Sequence, residues 1–176
     1  ISTDYIFDGK NGPYMERDKA NPISYYGKSK LEGEKILLTS SIDYTIIRTI
    51  LVYGNHTKPN IVSFVKKSLE SKTSVKLVDD QHRMPTLVGD LAKACQVVAN
   101  KKAKGIFHIS GNEMMNYYDI GLKIAHYFSL DSSLITKTKT SELNQKARRP
   151  EVTGFILDKA MKELDYVPTS FEKSLE

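Results

Sequence analysis

The stretch that most constrains the fold is Tyr44-Thr45-Ile46-Ile47-Arg48-Thr49-Ile50-Leu51-Val52-Tyr53, a nearly continuous β-branched and apolar run stopped by Gly54. A strand that is apolar at successive positions, rather than at alternate ones, is buried on both faces, as in a parallel sheet. A helical pattern precedes it from Tyr26, with Leu31, Glu34, Lys35 and Leu38 at helical spacing and an end in Thr39-Ser40-Ser41. After it the pattern predicts a helix over 61–71, a short strand over 75–78 and a helix over 91–99 closed by lysines. A glycine-bracketed strand over 105–111 follows, then a helix that Asn116 could cap, with Ile120, Ile124 and Phe128 inward. Beyond Leu130 the signal weakens to a short strand over 136–140 and short helices over 158–164 and 171–175. Strands alternating with helices predict an α/β fold with a mostly parallel sheet.

Composition narrows the function classes. The 176 residues are 40% hydrophobic and 27% charged, enough for a buried core. The net charge of +5 comes from lysines spread along the whole chain, with no basic stripe interleaved with aromatics, so no nucleic-acid partner is expected. A small anionic ligand suits that mild excess better. No apolar run approaches the roughly 20 residues of a membrane span, and the opening residues, lacking a basic start followed by an apolar stretch, do not read as a signal peptide. The expectation is a cytoplasmic protein without a membrane partner. The single cysteine, Cys95, reads as a buried thiol in a reducing compartment. No histidine or cysteine pair has metal spacing, so His82 and His108 read as surface and strand residues and no metal site is assigned. The opening Ile1-Ser2-Thr3-Asp4-Tyr5-Ile6-Phe7 reads as a strand already under way, as in a piece of a longer protein.

The strongest local feature is Tyr26-Gly27-Lys28-Ser29-Lys30, a tyrosine and a lysine four apart at a helix start. That spacing puts both side chains on one helical face, where the ammonium favours the phenolate and suits the tyrosine to acid/base work. Upstream, Ser2-Thr3-Asp4 ends a strand and offers a hydroxyl for a carbonyl oxygen, and turn formers fill residues 8–24. A strand-end hydroxyl, a turn-rich loop and then Tyr-x-x-x-Lys is the layout of the short-chain dehydrogenases.

Ser2-Thr3-Asp4-Tyr5-Ile6-Phe7-Asp8-Gly9 resembles the S-T-D-Y-V-F-D-G signature of the dTDP-4-dehydrorhamnose reductase family, within the extended short-chain dehydrogenases. Asn21-Pro22 with Tyr26 through Glu34 resembles its catalytic helix, and Arg48-Thr49 with Val52-Tyr53-Gly54 its nicotinamide-lining strand. Val78-Asp79-Asp80-Gln81, Pro85-Thr86 and Asp90-Leu91-Ala92 are similar to its V-D-D-Q-x-G-x-P-T…D-L-A stretch, and Arg149-Pro150 with Leu157-Asp158 to its closing segment. The resemblance runs over the whole chain.

It implies the second half of a Rossmann-like parallel sheet, with the catalytic helix in residues 1–54, and a small α/β substrate lobe in 55–176, from which 89–111 returns to the sheet. It implies NAD(P)H-dependent reduction of the 4-keto group of a dTDP-4-keto-6-deoxy sugar, with NADPH or NADH as cofactor, Mg as a possible addition, and a homodimer as the complete protein. In that reading Tyr26 donates the proton, Lys30 holds the nicotinamide ribose and Thr3 polarises the carbonyl. Val52 and Tyr53 line the cofactor, while Asp4, Tyr5, Arg83 and Arg149 meet the substrate. The Gly-rich phosphate loop would precede Ile1, so this segment is expected not to turn over by itself. Two departures bear on the sugar: Leu51 stands where the family usually has tryptophan, and Arg83 where it has glycine. Arg83 with Asp90-Leu91-Ala92 resembles a diphosphate-gripping segment of nucleotide-sugar epimerases, which keeps an epimerase or dehydratase as an alternative. A further alternative is a regulatory subunit like those of methionine adenosyltransferase, which share much of this motif series.

Overall fold

The computed structural model describes residues 1–54 and 59–176. In chain order the elements are β1 (Ser2–Thr3), α1 (Tyr25–Leu38), β2 (Thr45–Thr49), β3 (Val52–Tyr53), α2 (Ile61–Glu70), β4 (Val75–Val78), β5 (His82–Arg83) and β6 (Thr86–Leu87). Then come α3 (Val88–Lys101), β7 (Gly105–Ile109), β8 (Met115–Asn116), α4 (Tyr117–Tyr127), β9 (Ile135–Thr138), β10 (Val152–Thr153) and α5 (Asp158–Leu164). The expected start of the substrate lobe, at residue 55, lies outside the described residues.

The parallel sheet runs β1-β2-β7, with Ser2 opposite Arg48 and Thr45 through Thr49 opposite Gly105 through Ile109. Helix α1 packs on β1, α3 on β2 and α5 on β7. Ile6, Phe7, Ile47, Ile50, Phe107 and Ile109 are buried between these layers with Leu157 and Leu164. The remaining strands form small sheets: β10-β5-β8, β3-β6 and β4-β9. A second core gathers Tyr53, Val65, Leu69, Leu77, Ile120 and Ile124 between α2, α4 and β4. Burial of such apolar surface on two fronts is the dominant favourable term in folding.

The long apolar run is not one strand. It breaks at Ile50 and Leu51, where Leu51 has φ of 36°. Residues before the break pair in the parallel sheet, and those after it pair with β6. Leu51 is half-buried and packs against both cores. A left-handed backbone at a non-glycine residue has an energetic cost, which packing on both sides offsets here.

The amino-terminal run also turns earlier than its pattern predicts. Only Ser2 and Thr3 pair, and Asp4–Ile6 form one turn of 3-10 helix. Thr3 caps it, its Oγ1 accepting from the Tyr5 amide at 3.3 Å. Cys95 is half-buried rather than buried. Helix α4 has the expected cap, Asn116 Oδ1 accepting from the Asp119 amide at 2.8 Å, with Ile120 and Ile124 inward and Phe128 half-buried at its end.

Candidate active site

Ser24 caps α1, its Oγ accepting from the Gly27 amide at 3.1 Å, so Tyr26 falls in the first turn and Lys30 one turn further along. The helix start crosses the 3-10 turn at very short range. A Cβ on Gly27 would lie 2.1 Å from the Tyr5 carbonyl oxygen, a contact that only glycine permits. That crossing sets Tyr26 against Tyr5, with ring centroids 5.9 Å apart and planes at 80°. Tyr26 remains 52% exposed. The half-buried Lys30 donates from Nζ to the Ile1 carbonyl at 2.6 Å.

Thr3 is buried at the end of β1, and its Oγ1 donates to Asp4 Oδ1 at 3.1 Å. Ser2 Oγ is buried without a hydrogen-bond partner among the described residues. Asp4 lies inside, where Thr153 Oγ1 also donates to it and Arg83 Nε stands 3.8 Å away. Burial pushes the Asp4 carboxyl up from its usual range, opposed by the charge of Arg83 and by the hydroxyl donors.

Tyr5 is half-buried, and its hydroxyl accepts from Nη1 of the exposed Arg149 at 3.1 Å. The Arg83 guanidinium stands over the Tyr5 ring at 5.6 Å and over the Tyr117 ring at 6.0 Å. Tyr26, Tyr5, Arg149, Arg83 and Tyr117 therefore form one continuous aromatic and cationic cluster. Its outer members are an exposed phenol and an exposed guanidinium. Chemically it offers a proton donor, a lysine one turn away and a fork suited to phosphate oxygens.

Three residues expected on ligands face inward instead. Arg83 is 1% exposed, with both terminal nitrogens occupied by protein oxygens. Asp4 is enclosed by Thr3, Thr153 and Arg83. Tyr53, expected beside the nicotinamide, points into the second core, where it packs on Phe171 at 5.1 Å and its hydroxyl bonds Ser174 Oγ. Burial pushes the Tyr53 phenol up to about 12. The break at Leu51 carries this side chain away from the parallel sheet. Val52, also expected on the cofactor, is half-buried in β3.

Arg148 is exposed beside Arg149. For Mg, the described residues contain no group of three or more His, Cys, Asp or Glu side chains able to hold a metal ion. None of the described helices is long and apolar enough to cross a membrane.

Sequence reasoning missed Tyr117 and Thr153. Tyr117 reaches the cluster because β8 runs antiparallel to β5 with Met115 opposite Arg83. Thr153 reaches Asp4 because β10 pairs with β5. Both pairings are long-range between two-residue strands, which have no period to read. Burial pushes the Tyr117 phenol up to about 12, against the lowering effect of Arg83.

Known proteins agree with this architecture. A family model described as RmlD substrate binding domain matches residues 1–176. Methionine adenosyltransferase 2 subunit beta of Bos taurus is 40% identical over 141 residues, which cover 76% of this chain and 42% of that protein. Spore coat polysaccharide biosynthesis protein SpsK of Bacillus subtilis is 35% identical over 176 residues, or 99% of this chain and 61% of that one. Among solved structures, a dTDP-4-dehydrorhamnose reductase from Clostridium acetobutylicum superposes with TM-score 0.88 at 31% identity, covering 99% of this chain and 61% of that chain. The Bacillus anthracis dTDP-4-dehydrorhamnose reductase, in complex with NADP, gives 0.90 at 27%, covering 99% and 62%. The chain thus spans 42% to 62% of the length of these four relatives. With the family model matched from end to end and the fold shared with two dTDP-4-dehydrorhamnose reductases, the chain belongs to the RmlD substrate-binding-domain family.

Proposed function

We propose that this segment carries the acid/base and substrate-gripping half of an NAD(P)H-dependent enzyme that reduces the 4-keto group of a dTDP-4-keto-6-deoxy sugar. The observation that supports this most is the Gly27 crossing, which presents the half-exposed Tyr26 phenol beside Tyr5, whose hydroxyl holds Arg149. Tyr26 donates a proton to the oxygen of the keto group. Thr3 donates to the same oxygen once its single hydroxyl proton turns from Asp4 Oδ1 to the ligand, and Arg149 meets the phosphates of the nucleotide.

The donor set fits a nicotinamide ribose. Lys30 uses one of its three ammonium protons on the Ile1 carbonyl, leaving two for vicinal hydroxyls one turn from the phenol. NADPH, when bound, supplies the hydride. The protein orients the ketone and delivers the proton. The experiment is NADPH oxidation by the complete protein that carries this segment, with a dTDP-4-keto-6-deoxy sugar as oxidant. Turnover dependent on the keto sugar is expected. NADPH binding without turnover on any keto sugar of that class would remove the reading.

A second reading has its own support. The 40% identity to a methionine adenosyltransferase subunit favours a protein that assembles with a catalytic synthetase. Co-elution of the complete protein with a methionine adenosyltransferase catalytic subunit, together with no turnover, would put this second reading first. Failure to co-elute would leave the reductase.

A further inference from the structure

Arg83 occupies the centre of the mixed sheet β10-β5-β8 and is closed to solvent. Its Nη1 donates to the His82 carbonyl at 2.7 Å and the Glu151 carbonyl at 3.1 Å. Its Nη2 donates to the Pro150 carbonyl at 2.8 Å and to Gln81 Oε1 at 3.4 Å. Two of these four acceptors, Pro150 and Glu151, immediately follow Arg149 in the chain. Nε makes no hydrogen bond among the described residues and faces Asp4 rather than solvent. A phosphate could reach this guanidinium only by displacing backbone carbonyls of a paired segment, at the cost of unpaired buried acceptors.

The same segment is pressed from its other side. Gly9 has φ of 80°, and a Cβ there would meet both Pro150 Cβ and the Glu151 nitrogen at 2.6 Å. The Val152 amide donates to the Gly9 carbonyl at 3.1 Å. Residues 150–152 are therefore gripped between the loop after β1 and the Arg83 fork. Arg149 leaves this grip one residue earlier, exposed, with its Nη1 on the Tyr5 hydroxyl.

We infer that Arg83 is a positioning residue that holds the Pro150 and Glu151 carbonyls from inside and so aims Arg149 at the phosphates of a nucleoside diphosphate. The aiming rests on the sugar-nucleotide reading for the identity of the ligand; the internal grip does not. A planar fork is needed because one side chain must serve carbonyls of β5 and of the segment leading into β10 at once, which a single ammonium does less well. Arg83 thus reaches the ligand through Arg149, in place of the direct diphosphate contact its motif suggests.

The test compares Arg83→Met, Arg83→Lys, Arg149→Gln and the Arg83→Met/Arg149→Gln double variant in the complete protein. The first readout needs no ligand: the rate at which trypsin cuts after Arg148, followed by mass spectrometry against cuts elsewhere in the chain. Arg83→Met should accelerate that cut several-fold with the others unchanged, and Arg83→Lys should fall between it and the parent. The second readout is dTDP binding by calorimetry, with KM for the keto sugar nucleotide and for NADPH. Each single variant should weaken dTDP and raise the sugar-nucleotide KM about ten-fold, the scale of one charge-assisted hydrogen bond. The NADPH KM should stay put, and the double variant should be no worse than Arg149→Gln alone.

Additive losses in the double variant would show that Arg83 meets the ligand directly and would overturn the inference. An unchanged cut after Arg148 would also overturn it. If the Met variant does not fold, Arg83→Lys with Arg149→Gln completes the same cycle, and additive losses there overturn the inference in the same way. Faster cutting in a protein whose parent form binds no dTDP would support the internal grip and remove the sugar-nucleotide reading instead.

Discussion

His108 sits in β7 closed to solvent, its ring stacked on Phe155 with centroids 3.8 Å apart. Nδ1 lies 3.1 Å from the Tyr14 carbonyl and Nε2 lies 3.3 Å from Arg48 Nη1. Arginine only donates, so Nε2 accepts and the proton sits on Nδ1. Burial, reinforced by the charges of Arg48 and then Lys159, pushes this imidazole down to about 3 from an ordinary 6.5. The unfolded chain takes up a proton as the pH drops through 6.5, and the folded chain refuses it until about 3. The stability that neutral His108 contributes is therefore complete above pH 6.5 and is lost progressively toward pH 3, by at most about 1.4 kcal/mol per pH unit. Denaturant unfolding at about pH 7 and about pH 5, on either side of the ordinary imidazole value, should show a larger loss for the parent than for His108→Gln. Equal losses would contradict the assignment. The sequence identified His108 as a strand residue, but not its enclosure. Its surroundings come from Tyr14, Glu16, Arg48 and Phe155, which are distant in the chain.

At the scale of elements, α1 depends on two contacts of different kinds. Arg48 on β2 pairs with Glu34 of α1 at 2.7 Å, both buried, which fixes the helix to the sheet two turns beyond Tyr26. At the other end, Gly27 lets the helix backbone meet Tyr5. In an exposed helix interior, alanine is better than glycine by about 1 kcal/mol. Here the added methyl would collide with a carbonyl oxygen, so Gly27→Ala should destabilise the protein despite its propensity. It should also push Tyr26 away from Tyr5 and lower kcat more than it weakens NADPH binding. A gain in denaturant midpoint with unchanged kcat would contradict the close crossing. Helical spacing revealed α1, and the cap at Ser24 moved its start by one residue. The same kind of reading could not divide the run from Tyr44 to Tyr53. Apolar continuity says that residues are buried, and not that they are buried in two different cores.

Across the whole molecule, the parallel sheet and the second core meet at Leu51, and the aromatic-cationic cluster lies where β1, α1 and the mixed sheet converge. The ordered motifs made the α/β class and the family legible, because five of them in one chain are jointly specific. The same motifs could not separate ligand-facing polar residues from internal ones. Arg83, Asp4 and Tyr53 belong to motif positions that read as binding residues, yet they hold protein rather than offer themselves to solvent. Tyr26, Tyr5 and Arg149 come together across 144 positions of separation between Tyr5 and Arg149.

The central claim is that Tyr26 is the proton donor of a keto-sugar reductase. Its most direct test is Tyr26→Phe in the complete protein, with NADPH binding and NADPH oxidation measured side by side. Removing one hydroxyl should leave NADPH bound within a few-fold while turnover falls by about 100-fold or more, the usual contribution of a positioned acid. Turnover that survives the loss of that hydroxyl would contradict the claim.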